Sequence, residues 1–137
     1  MRRSLALLAL VFLGACTNEI DESTRPENIV GTYQLVSYGG VALPTTIRND
    51  SITVVLLSGT LTLNADRTWT ETQLVRTTFR GVTSSSPLAA LGNWTQVRPL
   101  AYLAFNDTVN GHQFSGTASG GSVVLESITG RQIIYRR

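Results

Sequence analysis

The sequence predicts an all-β protein, an up-and-down antiparallel barrel of eight or nine strands. From Ile29 onward, apolar and polar residues alternate, and β-branched residues are frequent. Turn-forming residues recur about every ten residues, and no window shows the i, i+3, i+4, i+7 spacing of an amphipathic helix. Because an open sheet of this size would leave two edges exposed, we expect it to close into a barrel.

The first half of this domain is predicted to hold four strands. They cover residues 30–38, 51–57, 60–64 and 68–79. The first ends at Gly39-Gly40, and the last two form a hairpin around Ala65-Asp66-Arg67. The outer face of the longest strand is predicted to carry Thr68, Thr70 and Thr72, which turns Trp69 and its alternating neighbours inward.

The second half is predicted to begin with a loop at 81–87 and a single helical turn at 88–91. Five shorter strands follow, at 93–97, 100–105, 112–118, 122–128 and 132–136. Asn110-Gly111 is typical of a type I′ turn, because both residue types tolerate positive φ. The short connections favour an up-and-down meander over a Greek key with its long crossovers.

Alternation predicts which side chains line the barrel interior and are available to a ligand. These are Tyr33, Leu61, Leu63, Trp69, Glu71, Tyr102 and Phe114. Glu71 is the one charged member, and a carboxylate inside a barrel needs an arginine or a ligand as its partner. The alternative is that Glu71 lies at the barrel mouth, where water solvates it.

The first fifteen residues have the parts of a cleaved secretory signal. Arg2 and Arg3 precede an apolar run at 5–13, which is far too short to cross a membrane as a helix. Leu13-Gly14-Ala15-Cys16 resembles the lipobox of bacterial lipoproteins. The resemblance implies cleavage before Cys16, a diacylglyceryl or palmitate-type lipid on its thiol, and attachment to a bacterial membrane. The alternatives are an ordinary signal peptide followed by an unrelated cysteine, and a short buried helix.

The predicted organisation is therefore a signal peptide at 1–15, lipidated Cys16 with a polar tether to residue 28, and a barrel domain at 29–137. Cys16 is the only cysteine, so the domain must be stable without a disulfide. Without Arg2 and Arg3, nine arginines face nine carboxylates, and the mature chain is formally neutral. Neutrality gives no support to a nucleic-acid partner.

Four short segments in order resemble the lipocalin-like (calycin-type) domains of small bacterial lipoproteins, and the likeness covers most of residues 30–137. They are Gly31-Thr32-Tyr33-Gln34-Leu35-Val36-Ser37 with the following Gly39-Gly40 and Leu43-Pro44, residues 61–69, Gly92-Asn93-Trp94, and Ile134-Tyr135-Arg136. The resemblance implies a barrel that holds a small apolar or amphipathic ligand. It also implies that the first-strand aromatic packs on a late arginine, here Tyr33 on Arg136. The family has tryptophan where this chain has Tyr33. A related alternative is the small β-domain of META-type heat-shock lipoproteins.

The sequence offers no set of residues for catalysis or for a metal. His112 is the only histidine, and we expect it to face solvent. Asp50, Asp66 and Asp107 stand in turns that favour local hydrogen bonds. We therefore expect neither an enzyme nor a cofactor. Two functions remain open: an envelope lipoprotein that binds a small hydrophobic ligand, and a non-catalytic structural module with a filled barrel that docks to another envelope protein. In a diderm host, either would lie on the periplasmic side of the outer membrane.

Overall fold

The computed structural model describes residues 29–97, 102–127 and 129–137. Ten strands follow one another along the chain: β1 (Gly31–Tyr38), β2 (Val41–Ala42), β3 (Thr45–Asn49), β4 (Ile52–Leu63), β5 (Thr68–Phe79), β6 (Val82–Val97), β7 (Tyr102–Asp107), β8 (Gln113–Ser119), β9 (Ser122–Glu126) and β10 (Gln132–Arg136). Within the described ranges, no helix is long and apolar enough to cross a membrane. The predicted signal, Cys16 and the tether lie outside them.

Eight of these strands form a closed antiparallel up-and-down barrel. From β4 to β10 each strand pairs with the next in the chain, and β10 pairs with β1. The barrel closes where β1 pairs with β4, from Gly31↔Leu63 to Gln34↔Thr60. The predicted all-β barrel is confirmed, and its form is compatible with a lipocalin-like fold. The short strands β2 and β3 extend the sheet from β1 and β4.

Strands β4, β5 and β6 continue past the barrel wall as an arm, with β3 along one side. β7 pairs with β6 only from Gly92 to Val97. The preceding part of β6, from Val82 to Leu91, therefore has no strand on its outer side among the described residues. The sequence predictions of a loop at 81–87 and a helical turn at 88–91 are wrong, because this segment pairs along its length with β5.

The two predicted strands at 51–57 and 60–64 are instead one strand, β4. Its register against β5 shifts between Leu56 and Ser58, where one extra residue forms a bulge. Both halves of β4 pair with β5, and the bulge lets the strand continue although its apolar pattern changes phase there. The hairpin around Ala65-Asp66-Arg67 is confirmed, since β4 and β5 pair directly on either side of it.

Large side chains fill one end of the barrel, which we call the closed end and which contains the start of β1. Its buried members include Tyr33, Leu61, Leu63, Trp69, Trp94 and Phe105. The Tyr33 hydroxyl donates to the Ile29 carbonyl at 2.6 Å, and the Trp94 indole N–H donates to the Thr68 carbonyl at 3.1 Å. Trp69 packs edge-on against Phe105, with ring centres 5.8 Å apart. Side chains of the protein therefore occupy the barrel interior at this end.

Candidate functional site

The opposite end of the barrel, the open end, contains a cavity of about 190 Å³. The β7–β8 and β9–β10 loops border it, and β5 forms the far wall. Its lining residues are Glu71, Asp107, His112, Phe114, Leu125, Glu126, Ser127 and Ile133. Alternation along the strands turns Glu71, Phe114, Leu125 and Ile133 inward, so that four different strands contribute to one cavity.

Glu71 lies half-buried on the inner face of β5, as the alternation predicts. Its Oε1 accepts one hydrogen bond from the Tyr135 hydroxyl and another, 2.6 Å long, from Gln73 Nε2. The protein partner of this carboxylate is therefore a tyrosine, not the arginine that the sequence analysis considered. Glu71 Oε2 has no hydrogen bond from a described residue, and the side chain borders the cavity.

Tyr135 lies fully buried on β10 with its hydroxyl directed at Glu71. Burial raises the pKa of this phenol, and the negative charge of Glu71 raises it further. The tyrosine therefore stays protonated and acts as a permanent donor. Sequence reasoning did not pair these two residues, because they are 64 positions apart and only barrel closure brings them together.

Asp107 holds the β7–β8 loop in place at the rim of the cavity. Its Oδ1 accepts the backbone N–H groups of Val109 at 2.8 Å and Asn110 at 3.0 Å, and its Oδ2 accepts Asn110 Nδ2 at 2.8 Å. These hydrogen bonds, led by that from the Asn110 side chain, lower the pKa of Asp107. The predicted local role of Asp107 is confirmed. The type I′ turn is wrong, since only Gly111 has positive φ in this loop.

The chemical character of the cavity is acidic at the rim and apolar at the floor. Asp107 and Glu126 stand with His112 at the rim, Glu71 lies on the inner wall, and three hydrophobic side chains make the floor: Phe114, Leu125 and Ile133. Within the described part of the chain, no group of three or more His, Cys, Asp or Glu residues is placed to hold a metal ion. The arrangement suits a small molecule with an apolar body and a positively charged or hydrogen-donating head.

The predicted ligand residues divide between the two ends of the barrel and its outer surface. Glu71 and Phe114 line the cavity. Tyr33, Leu61, Leu63 and Trp69 point inward, as predicted, but fill the closed end. Tyr102 is 39% exposed on the outer face, so its placement inside is wrong. Leu103 and Phe105 occupy the inner positions of β7 instead, which shifts the predicted alternation by one residue.

The predicted pair of Tyr33 and Arg136 is also displaced by one residue. Arg136 pairs with Gln34 through the backbone, and its side chain is exposed. Arg137 is the arginine that packs on Tyr33, with its guanidinium carbon 5.0 Å from the ring centre. Alternation explains the correction: Tyr135 points inward and Arg136 outward, so the next residue returns to the barrel side.

Sequence reasoning missed Asp107, Glu126 and Ser127 as rim residues. Each lies at or beside the end of a strand, and the only signal for them is that 107–112 and 126–131 are both hairpin connections at the same end of an up-and-down sheet. No protein-family model matches this chain, and no curated protein matches it either. Function is therefore inferred from the barrel and its open-end cavity.

Proposed function

We propose that this protein is a lipid-anchored lipoprotein of the bacterial cell envelope whose barrel binds a small amphipathic ligand in the open-end cavity. The observation that carries the proposal is the position of Glu71, a half-buried carboxylate that opens onto a cavity with an apolar floor. Burial of charge is unfavourable unless a partner compensates for it. Tyr135 and Gln73 supply one side of that compensation, and the head of a ligand supplies the other.

The size and charge of the cavity restrict the class of ligand. At about 190 Å³ it is smaller than typical sites for drug-sized molecules, which measure roughly 300 to 1,000 Å³. A small amine with a short hydrocarbon body matches this volume, and its charge complements Glu71 and the two carboxylates at the rim. A carboxylate with the same hydrocarbon chain would be repelled by the carboxylates that line the cavity.

This ligand class is tested with three molecules of equal chain length: hexylamine, hexanol and hexanoate. Calorimetric titration of the full chain is expected to show the tightest binding for hexylamine and the weakest for hexanoate. Glu71→Gln removes one of the three negative charges with little change of shape, so it should reduce the preference for the amine. Asp66→Asn, in the β4–β5 hairpin at the other end, is the matched control. Equal affinity of the wild-type protein for all three molecules, or an amine preference that Glu71→Gln leaves undiminished, rejects the proposal.

Anchoring through Cys16 is supported by the lipobox-like residues that precede it. Several acyl chains on one cysteine give firm membrane attachment, whereas a single chain holds only marginally. Cells fed labelled palmitate should incorporate it into the wild-type chain and not into a Cys16→Ser variant. The wild-type chain should sediment with membranes. Label in the Cys16→Ser variant would refute lipidation at this residue.

A second candidate function is a structural module that docks to another envelope protein. It is favoured by the filled closed end and by the outer edge of β6 from Val82 to Leu91, which lacks a strand partner among the described residues. Such an edge can accept an extended segment through backbone hydrogen bonds. A photo-crosslinking residue at Ser85 should then capture one reproducible protein in cells, and the same residue at Thr70 should not. Identical patterns at both positions would exclude this function.

A further inference from the structure

The outer face of the barrel carries a second concave site, an open hollow of about 490 Å³ on β6, β7 and β8. We call it the polar hollow. The lining residues form rows across the three strands, because residues that pair across the sheet lie side by side. In the first row, Asn93 pairs with Asn106, and Asn106 pairs with Gln113. The next row, closer to the closed end, contains Thr95, Ala104 and Ser115. Tyr102, the first residue of β7, borders the hollow on the side nearer the closed end.

The residues of β7 explain why this part of the outer surface is concave. Ala104 occupies the middle strand in the second row and projects only a methyl group. The surrounding outer positions carry longer side chains, which include Asn106, Gln113 and Tyr102. Neighbouring strands lie about 4.8 Å apart, so the three amides of the first row span about 10 Å. The small residue at the centre therefore forms the floor of a dish with polar walls.

The dish carries no charge and combines hydrogen-bonding groups with apolar surface, to which Phe105 and Phe114 contribute. No charged residue lines it. Each amide of Asn93, Asn106 and Gln113 offers both donors and an acceptor, and none of these side chains is hydrogen-bonded to another described residue. Tyr102, 39% exposed, adds an aromatic face and a hydroxyl. Amides, hydroxyls and apolar surface, with Tyr102 as the exposed aromatic residue, match an uncharged ligand that has many hydroxyl groups and an apolar ring face.

We propose that the polar hollow binds a neutral saccharide. Adjacent sugar hydroxyls both donate and accept, which is the pattern that side-chain amides complement in pairs. The apolar face of a sugar ring packs on an aromatic side chain, a role available to Tyr102. The absence of a lining cation disfavours a phosphorylated or carboxylated glycan, because its charge would lose hydration without a partner. The amides and Tyr102 lie on the outside of the wall, whereas the open-end cavity lies inside it, and Phe114 borders both sites.

The test is titration of the full chain with chitotriose, cellotriose and maltotriose, monitored by calorimetry and by amide NMR shifts. Saturable binding of at least one trisaccharide is expected, with the shifted signals concentrated on β6 to β8. Tyr102→Ala and Asn106→Ala should each weaken it by about tenfold, the loss expected when a central contact is removed. Thr70→Ala and Thr72→Ala are matched controls, since they truncate outer-face residues of β5 outside the hollow.

Ala104→Leu provides a variant that removes no polar group and instead fills the floor. It should block the trisaccharide while the unfolding midpoint stays close to that of the wild-type protein. The proposal is overturned if none of the three sugars binds, or if Ala104→Leu and Tyr102→Ala bind as the wild-type protein does. Shifts confined to residues of the open-end cavity would also overturn it, and would leave hexylamine binding at that cavity as a separate result.

Discussion

At the scale of single residues, the open end depends on how one carboxylate is held inside a barrel. Glu71 is hydrogen-bonded to Tyr135 and Gln73, and both partners lie on inner faces of their strands. A hydrogen bond to a charged group is stronger than one between neutral groups, and the low polarity of the surroundings strengthens it further. Glu71 is therefore fixed in position before a ligand arrives, which reduces the entropy lost on binding.

Removal of the Tyr135 hydroxyl is expected to destabilise the protein. Tyr135→Phe should lower the free energy of unfolding by about 1.5 to 3 kcal/mol, the range for a hydrogen bond to a charged group. Tyr38→Phe is the matched control, because the Tyr38 hydroxyl has no hydrogen bond to another described residue. Chemical denaturation measures both variants, and a double-mutant cycle with Glu71→Gln isolates the pair. No coupling between the two substitutions would show that the contact contributes nothing.

Tyr33 is buried at the closed end, where Arg137 packs on its ring and Arg136 points to solvent. Tyr33→Ala should cost about 3 to 5 kcal/mol, as other large-to-small core substitutions do. Arg137→Ala should cost about 0.5 to 1 kcal/mol through the lost contact with the ring, whereas Arg136→Ala should be nearly neutral. Thermal and chemical unfolding distinguish the three variants. A larger loss for Arg136→Ala than for Arg137→Ala would restore the pair predicted from the sequence.

Asp107 makes the rim loop sensitive to acid. Its hydrogen bonds lower the pKa in the folded state below the ordinary value of 3.8, so the unfolded chain takes up a proton first as pH falls. The stabilisation by Asp107 is complete above the ordinary value and is lost as pH drops through the folded pKa. Asp107→Asn should therefore show a flatter decline in stability below about pH 4 than the wild-type protein. Parallel pH profiles of the two proteins would contradict this role.

At the scale of secondary structure, β6 shows where sequence reasoning succeeds and where it fails. Its second half, Gly92-Asn93-Trp94 and onward, alternates clearly and was predicted as a strand. Its first half contains a serine run, Pro87 and Leu88-Ala89-Ala90-Leu91, which are typical of a loop and a helical turn. Pairing with β5 overrides that local preference. Pro87 is tolerated because this edge of β6 needs no donor toward another described strand.

The predicted placements of Tyr102 and Arg136 are each wrong by one residue, and both errors concern which face of a strand points inward. Because side chains alternate along a β-strand, every second residue shares a face, but the alternation does not show which of the two sets faces inward. Tryptophan settles the choice on β5, where Trp69 and Val75 are buried and Leu74 is exposed. On β7 both sets contain apolar residues, and the packing of Phe105 on Trp69 shows that Phe105, and with it Leu103, belongs to the inner set. Most strands of the barrel were therefore predictable from sequence, whereas the first half of β6 and single side-chain orientations on ambiguous strands were not.

Gly92 lies where β6 leaves no room for a side chain beside β7. A Cβ at this position would lie 1.8 Å from the Asn106 carbonyl oxygen, which is backbone and cannot move aside. Gly92→Ala should therefore cost several kcal/mol or prevent folding, as overpacking against a rigid neighbour does. Gly59→Ala is the comparison, since its Cβ would meet the Leu35 side chain at 2.9 Å, and a side chain can rotate. Circular dichroism and unfolding curves measure both, and similar stabilities for the two variants would contradict this packing.

At the scale of the whole molecule, the barrel is divided along its axis into a packed half and an open half. The closed end concentrates tryptophan and tyrosine, and the open end gathers polar hairpin loops around a cavity. Eight strands enclose an interior that side chains can either fill or leave free for one small ligand. This chain does both, at opposite ends. Sequence composition predicted the class of fold, but the division between the ends depends on closure between β1 and β4.

The central claim is that the open-end cavity holds a small amphipathic ligand in the cell. It is tested most directly by native mass spectrometry of the protein purified under gentle conditions from its own host, beside an Ile133→Trp variant that fills the cavity. The wild-type protein should carry an additional small mass that is released on mild heating, and the variant should not. A wild-type protein with no bound mass, or the same bound mass on both proteins, would contradict binding at this cavity.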